Sequence, residues 1–179
     1  MSEKNTLIRG MHDLGLSAWF GGSLMGAVGL NGATGQAHDA AERLRLSSLG
    51  WKRWAPVNMA AIGIHAVGGV GLIIANRGRL QRQDGAMANT VIKAALTLAA
   101  AGLTAYSGAL GQKVDKHAGQ GGAGATEPAP GASSELKAAQ RQLKMAQWAI
   151  PALTGVLVVM GSQQGEQQRP VAQLFSRVR

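Results

Sequence analysis

Residues 55–76 read APVNMAAIGIHAVGGVGLIIAN, an uncharged stretch that ends in Val70-Gly71-Leu72-Ile73-Ile74. A helix rises about 1.5 Å per residue, so roughly 20 such residues cross a hydrocarbon layer about 30 Å thick. Three further stretches contain no Asp, Glu, Lys or Arg: Leu14 to His38, Ala94 to Gln112 and Met145 to Gly165. One could be a buried helix of a soluble protein, but four, separated by charged connectors, predict a bilayer. The expected fold is all-α, an integral membrane four-helix up-down bundle. Its spans fall at about 14–33, 55–76, 92–112 and 145–163 within a membrane domain covering residues 1–165. Glycines dilute the first span and alanines the third.

Composition agrees. Only 15% of the 179 residues are charged, against about 25% in soluble domains. The absence of cysteine removes disulfides, thiolate metal sites and cysteine nucleophiles together. Lys4 and Arg9 precede the first apolar stretch as in a signal peptide, but Asp13, the glycines and the missing A-x-A site predict a retained span.

The connectors differ in kind. Asp39 to Leu49 is expected to form a short interfacial amphipathic helix between the first two spans, with Ala41, Leu44 and Ser48 opposite Glu42, Arg43 and Arg45. It leads into Trp51-Lys52-Arg53-Trp54, which with Trp148 has the composition of headgroup-level anchors. Residues 118–134 are almost wholly Gly, Ala, Ser, Pro and Thr and predict a mobile linker. Glu135 to Lys144 is amphipathic, with Ser133 and Ser134 as candidate N-caps, and is expected to run into the fourth span. The tail from 166 to 179 is polar and expected to be disordered.

Nine Lys and Arg fall on each side of the expected bundle, so the positive-inside rule does not orient it. The compact Arg77, Arg79 and Arg82 connector favours a cytoplasmic N-terminus in a plasma-membrane, multi-pass protein. The net charge of +9 is explained by membrane lipids as partners and requires no nucleic acid.

Little chemistry is offered. Gly119, Gly121 and Gly124 match G-x-G-x-x-G, but they follow a helix rather than a strand. If the first span begins near Leu14 and the second ends near Asn76, His65 lies about 16 Å inside that surface and His12 near or outside it. That depth difference predicts no bis-histidine haem, and no cofactor or metal is expected. His65 still needs a partner within the bundle, and Thr97, Thr104 and Tyr106 are the candidates for an intramembrane polar site, with structural glue the blander use. Ala18, Gly22, Gly26 and Gly29 form a small-residue face for close packing, inside the bundle or between copies. Pro151 is expected to kink the fourth span and free a carbonyl near Gln147.

Met11-His12-Asp13, Ala18-Trp19-Phe20-Gly21-Gly22, Gly50-Trp51 through Pro56-Val57-Asn58, Gln140 through Lys144 and Ile150-Pro151-Ala152-Leu153-Thr154-Gly155 carry a resemblance. Through them the chain resembles an uncharacterised actinobacterial family of four-span membrane proteins, outside the linker. A histidine followed by a Trp-x-Gly-Gly step, here His12 and Trp19-Phe20-Gly21-Gly22, is distantly similar to copper-resistance protein D-like membrane proteins. That likeness carries no ligand assignment here. No nucleophile with a base and no carboxylate pair occurs in any span, so the expected role is non-enzymatic: a structural or accessory component, packing as a homo-oligomer or in a larger membrane complex. The alternative is a small permease or metal-handling protein using His12 and His65.

Overall fold

A computed structural model describes residues 3–78 and 84–167. Helix α1, Glu3–Met25, continues through a π-helical turn, Gly26–Leu30, into α2, Asn31–Thr34, as one rod. Helix α3 spans Ala40–Ala75, α4 Asp84–Lys116 and α5 Ser134–Gln167. Among the described residues no strand forms, and the one isolated bridge joins Gly122 to Pro128. The expected disordered tail beyond Gln167, and Arg79 and Arg82, lie outside the described residues.

Helix starts follow capping chemistry. The Asp39 carboxylate accepts from the Glu42 N–H at 2.7 Å, and the Ser133 hydroxyl from the Leu136 N–H at 3.3 Å. The separate amphipathic helix expected before the second span does not exist. Residues 40–54 are the first turns of α3, because no breaker separates them from the apolar stretch, and Pro56 is accommodated within the helix.

Helices α3, α4 and α5 are long and apolar enough to cross a membrane, and the uncharged stretches 55–76, 94–112 and 145–165 lie almost wholly within them. The first expected span does not form one apolar helix. The first half of α1 carries Glu3, Lys4, Arg9 and Asp13, and the π turn divides its uncharged stretch.

α1 packs antiparallel to α3, and α4 to α5; α1 also contacts α5, while α3 and α4 meet sparsely. Two cores result. One gathers Leu16, Trp19, Ala100, Ile150 and Leu157 at the level of the apolar stretches. The other gathers Leu44, Leu110, Val114, Leu136 and Leu143 beneath the 118–134 segment. With 36 and 34 residues, α3 and α5 each overshoot a 30 Å layer by roughly 20 Å, and their overhanging turns, 40–54 and 134–144, supply Leu44, Leu136 and Leu143 to this second core.

The segment 118–134, read from composition as a loose linker, is instead folded over that second core. The Arg43 guanidinium donates to the carbonyls of Ala37 at 2.7 Å, Gly122 at 3.3 Å and Ala123 at 3.1 Å. The Gln140 amide donates to the carbonyls of Gly124, Ala125 and Glu127. Gly121 takes a φ of +74°, a conformation that favours glycine, and Ala125 and Thr126 are buried. Side chains outside the segment supply the bonds its own residues lack. Glu127 is pushed up by burial, but the Lys144 ammonium at 2.9 Å and the Thr126 N–H and hydroxyl hold it below the usual carboxylate range. Lys113 at 3.0 Å, assisted by His117, does the same for Glu135.

Candidate functional site

The closest approach of α1 and α3 is built on glycine. A Cβ at Gly15 would lie 2.5 Å from the Ala61 carbonyl oxygen and 2.6 Å from the His65 nitrogen. One at Gly68 would lie 2.5 Å from the backbone nitrogen of His12. These gaps set His12 directly against His65, with ring centroids 4.2 Å apart and planes at 39°.

The depth difference expected between the two histidines is therefore wrong. Its error lies in equating the end of an uncharged stretch with the end of a helix. α1 begins at Glu3, so His12 lies nine residues, about 14 Å, inside it; His65 lies ten residues, about 15 Å, inside the antiparallel end of α3.

The hydrogen bonds fix the tautomers. His65 Nδ1 lies 3.0 Å from the His12 carbonyl, which can only accept, so Nδ1 carries the proton and Nε2 keeps its lone pair. His12 Nδ1 lies 2.9 Å from an Asp13 carboxylate oxygen, which fixes the same tautomer while that carboxyl is ionised. A carboxylate and two imidazoles thus stand side by side, the His65 ring bonded to the His12 backbone and the His12 ring to Asp13. Asp13 looked like a boundary residue in the sequence; the length of α1 brings it to the site.

These residues line a cleft of about 310 Å³ between α3 and α4 that also includes Arg9, Asn76, Thr90, Lys93 and Thr97. Of the residues expected around His65, Thr97 shares this cleft. Thr104 accepts from the Trp19 indole N–H at 3.2 Å, and Trp19, fully buried, stands edge-on to His65 at 6.2 Å. Tyr106 is half-exposed and donates to the Gln142 amide oxygen of α5, away from His65.

The expected packing face of α1 is filled by indole rings. A Cβ at Gly22 would collide with the ring of Trp54 and one at Gly26 with that of Trp51. Gly29 faces the Met25 side chain of its own helix, and Ala18 is partly buried. Of the expected anchors, Trp51 and Trp54 therefore turn inward onto α1. Lys52 pairs with Asp115 at 2.7 Å, Arg53 is exposed, and Trp148 faces outward, half-exposed.

A polar node joins three helices at this level. Asn31 Oδ1 accepts from the Ser47 hydroxyl at 3.1 Å and the Trp51 indole N–H at 3.0 Å, while its amide donates to Gln147 at 2.7 Å. The π turn ends immediately before Asn31. Sequence reasoning missed Asn31, Asn58 and Trp19, although a polar side chain inside an uncharged stretch is itself the signal. Comparison with protein-family models, curated proteins and solved structures finds no match.

Proposed function

We propose that the chain is a four-span plasma-membrane permease in which Asp13, His12 and His65 take up and release a proton beside a largely apolar cleft that carries Arg9, Thr90, Lys93 and Thr97. The observation that carries the reading is the His12 and His65 pair, 4.2 Å apart, lining a 310 Å³ cleft with a carboxylate attached. An imidazole can bind and release a proton at a ring nitrogen, and ionisable groups inside a bundle mark ion and substrate paths. Among the described residues, the charged groups lining the cleft with the pair are Arg9 and Asp13 from α1 and Lys93 from α4, and α5 contributes Gly161.

Register supports the fourth span. Ile8 meets Gly71, His12 meets Gly68, Gly22 meets Trp54 and Gly26 meets Trp51, so residues 8–26 of α1 run beside 51–71 of α3. If α3 crosses the bilayer, α1 crosses with it. The Arg77, Arg79 and Arg82 connector favours a cytoplasmic N-terminus and sets the 118–134 cap on the opposite side. The accessory reading rested on the Gly22 and Gly26 face, and Trp51 and Trp54 of the same chain occupy it.

The test is proton flux into proteoliposomes that contain a pH-sensitive dye and are driven by a potassium diffusion potential. The wild-type chain is expected to exceed empty liposomes, and His65→Leu and His12→Leu to fall at least about tenfold. A folded His65→Leu protein with wild-type flux would overturn the proposal. Because the chain has no cysteine, Ala129→Cys also reports topology, and is expected to react with an impermeant maleimide from outside intact cells.

A further inference from the structure

A second cavity, of about 200 Å³, opens among α3, α4 and α5 and shares no lining residue with the His12 and His65 cleft. Ser23, Trp54, Asn58, Thr104, Ser107 and Gln147 give it a polar wall. Asn58 is 93% buried (7% exposed), yet its Oδ1 has no hydrogen-bond partner, and the buried Trp54 Nε1 has none either. An unpaired buried polar atom costs on the order of several kcal/mol in an apolar setting. Here an unpaired acceptor and an unpaired donor stand one helical turn apart on the same face of α3. Their joint complement is a single group that both accepts and donates.

Backbone irregularity converges on the same place. Pro56 removes the N–H that would bond the Lys52 carbonyl, and Pro151 the one that would bond Gln147, and both Lys52 and Gln147 line the cavity. The π turn of the α1 rod lies beside them, with Gly26 against Trp51. Backbone groups freed at membrane depth are tolerated where they are buried in protein or line a cavity that can satisfy them. Lys52 is the only charged residue among those lining the cavity, and Asp115 at 2.7 Å compensates it, so the wall selects no ionic charge.

We propose that this cavity binds a small neutral molecule bearing both a hydrogen-bond donor and an acceptor, a polyol or a primary amide, between Asn58 and Trp54. Both atoms are closed off from the cavity, so a small turn of the two side chains accompanies binding: the ligand oxygen then accepts from Trp54 Nε1 and a ligand O–H or N–H donates to Asn58 Oδ1. Taking about 30 Å³ per water, the space holds roughly six or seven waters or one small organic molecule.

The full chain in lipid nanodiscs, labelled with ¹⁵N-tryptophan, gives separate indole N–H signals for Trp19, Trp51, Trp54 and Trp148, and Trp54→Phe assigns one of them. Titration with acetamide or glycerol is expected to shift the Trp54 signal saturably while the outward Trp148 signal stays in place. Acetate, the charged counterpart of acetamide, is expected to leave both unmoved. Asn58→Leu should weaken the response at least about tenfold, with an unchanged Trp19 signal as the check on folding. If neither neutral probe moves the wild-type Trp54 signal saturably, the cavity holds only water and the proposal is wrong; an equal response to acetate also overturns it. The wild-type titration decides alone, and because it reads Trp54 directly, it is independent of proton flux through His65.

Discussion

Replacing Gly15 or Gly68 with alanine tests whether the glycine contact between α1 and α3 holds the histidine pair together. Ordinary contact begins near 3.4 Å, and the new Cβ would meet backbone atoms at 2.5 Å, so the helices must part by about 0.9 Å. The opposing atoms are the Ala61 carbonyl and the His65 and His12 backbone nitrogens, which cannot swing aside as a side chain would. Overpacking of this kind costs roughly 1–3 kcal/mol. Alanine in place of glycine also gains up to about 1 kcal/mol of helix propensity, which partly masks the loss. Gly63→Ala removes that ambiguity, because a Cβ there meets nothing within 4 Å and reports propensity alone. The difference between Gly15→Ala and Gly63→Ala therefore isolates packing, and is expected to be about 1–3 kcal/mol, or roughly a 5-fold to 150-fold change in the unfolding constant. Reversible unfolding in mixed detergent micelles measures it, and flux should fall with stability as the imidazoles separate. Equal stability of Gly15→Ala, Gly68→Ala and Gly63→Ala would refute the close approach.

Three further outcomes follow from the hydrogen bonds. Asn31→Leu leaves Gln147, Ser47 and the Trp51 indole unpaired, and is expected to cost about 1–3 kcal/mol by the same unfolding assay. Arg43→Ala removes three bonds that fasten the neighbourhood of the cap, so limited proteolysis should cleave between residues 118 and 134 at least several-fold faster than in wild type. Glu127 is held ionised in the folded state, so its contribution is complete above the ordinary glutamate value of about 4.3 and is lost as pH falls through its lower folded value. Amide protection factors in 118–134, which are corrected for the intrinsic exchange rate at each pH, should accordingly be lower below about pH 4 than at pH 7, and Lys144→Met should reduce that added sensitivity.

The helical class and the three helices long and apolar enough to cross a membrane were legible because absence of charge over about twenty residues is a physical requirement, independent of tertiary detail. Ser133 was legible as a cap for the same local reason. The histidine pair was not, because an uncharged stretch marks where lipid is tolerated and α1 continues past it through Arg9 and Asp13. Nor was the order of residues 118–134, since the groups that satisfy its backbone, Arg43 and Gln140, lie on α3 and α5. The Gly22 and Gly26 step was visible as a place of close approach. That indole rings would fill it could not be read, because glycine spacing specifies a hollow and leaves open what enters.

Those filled hollows bear on the order of assembly. With Trp54 against Gly22 and Trp51 against Gly26, a slip of one helical turn between α1 and α3 would leave one ring on a glycine and bring the other against a side chain, Leu30 or Ala18. The first hairpin is thus keyed to a single vertical alignment, and every residue of that key has been synthesised by position 75. The later hairpin of α4 and α5 then docks onto a partner whose register is already set. The cleft and the cavity lie along the seam where the two hairpins meet, and a membrane insertion machine that releases helices in pairs would deliver them ready to form it.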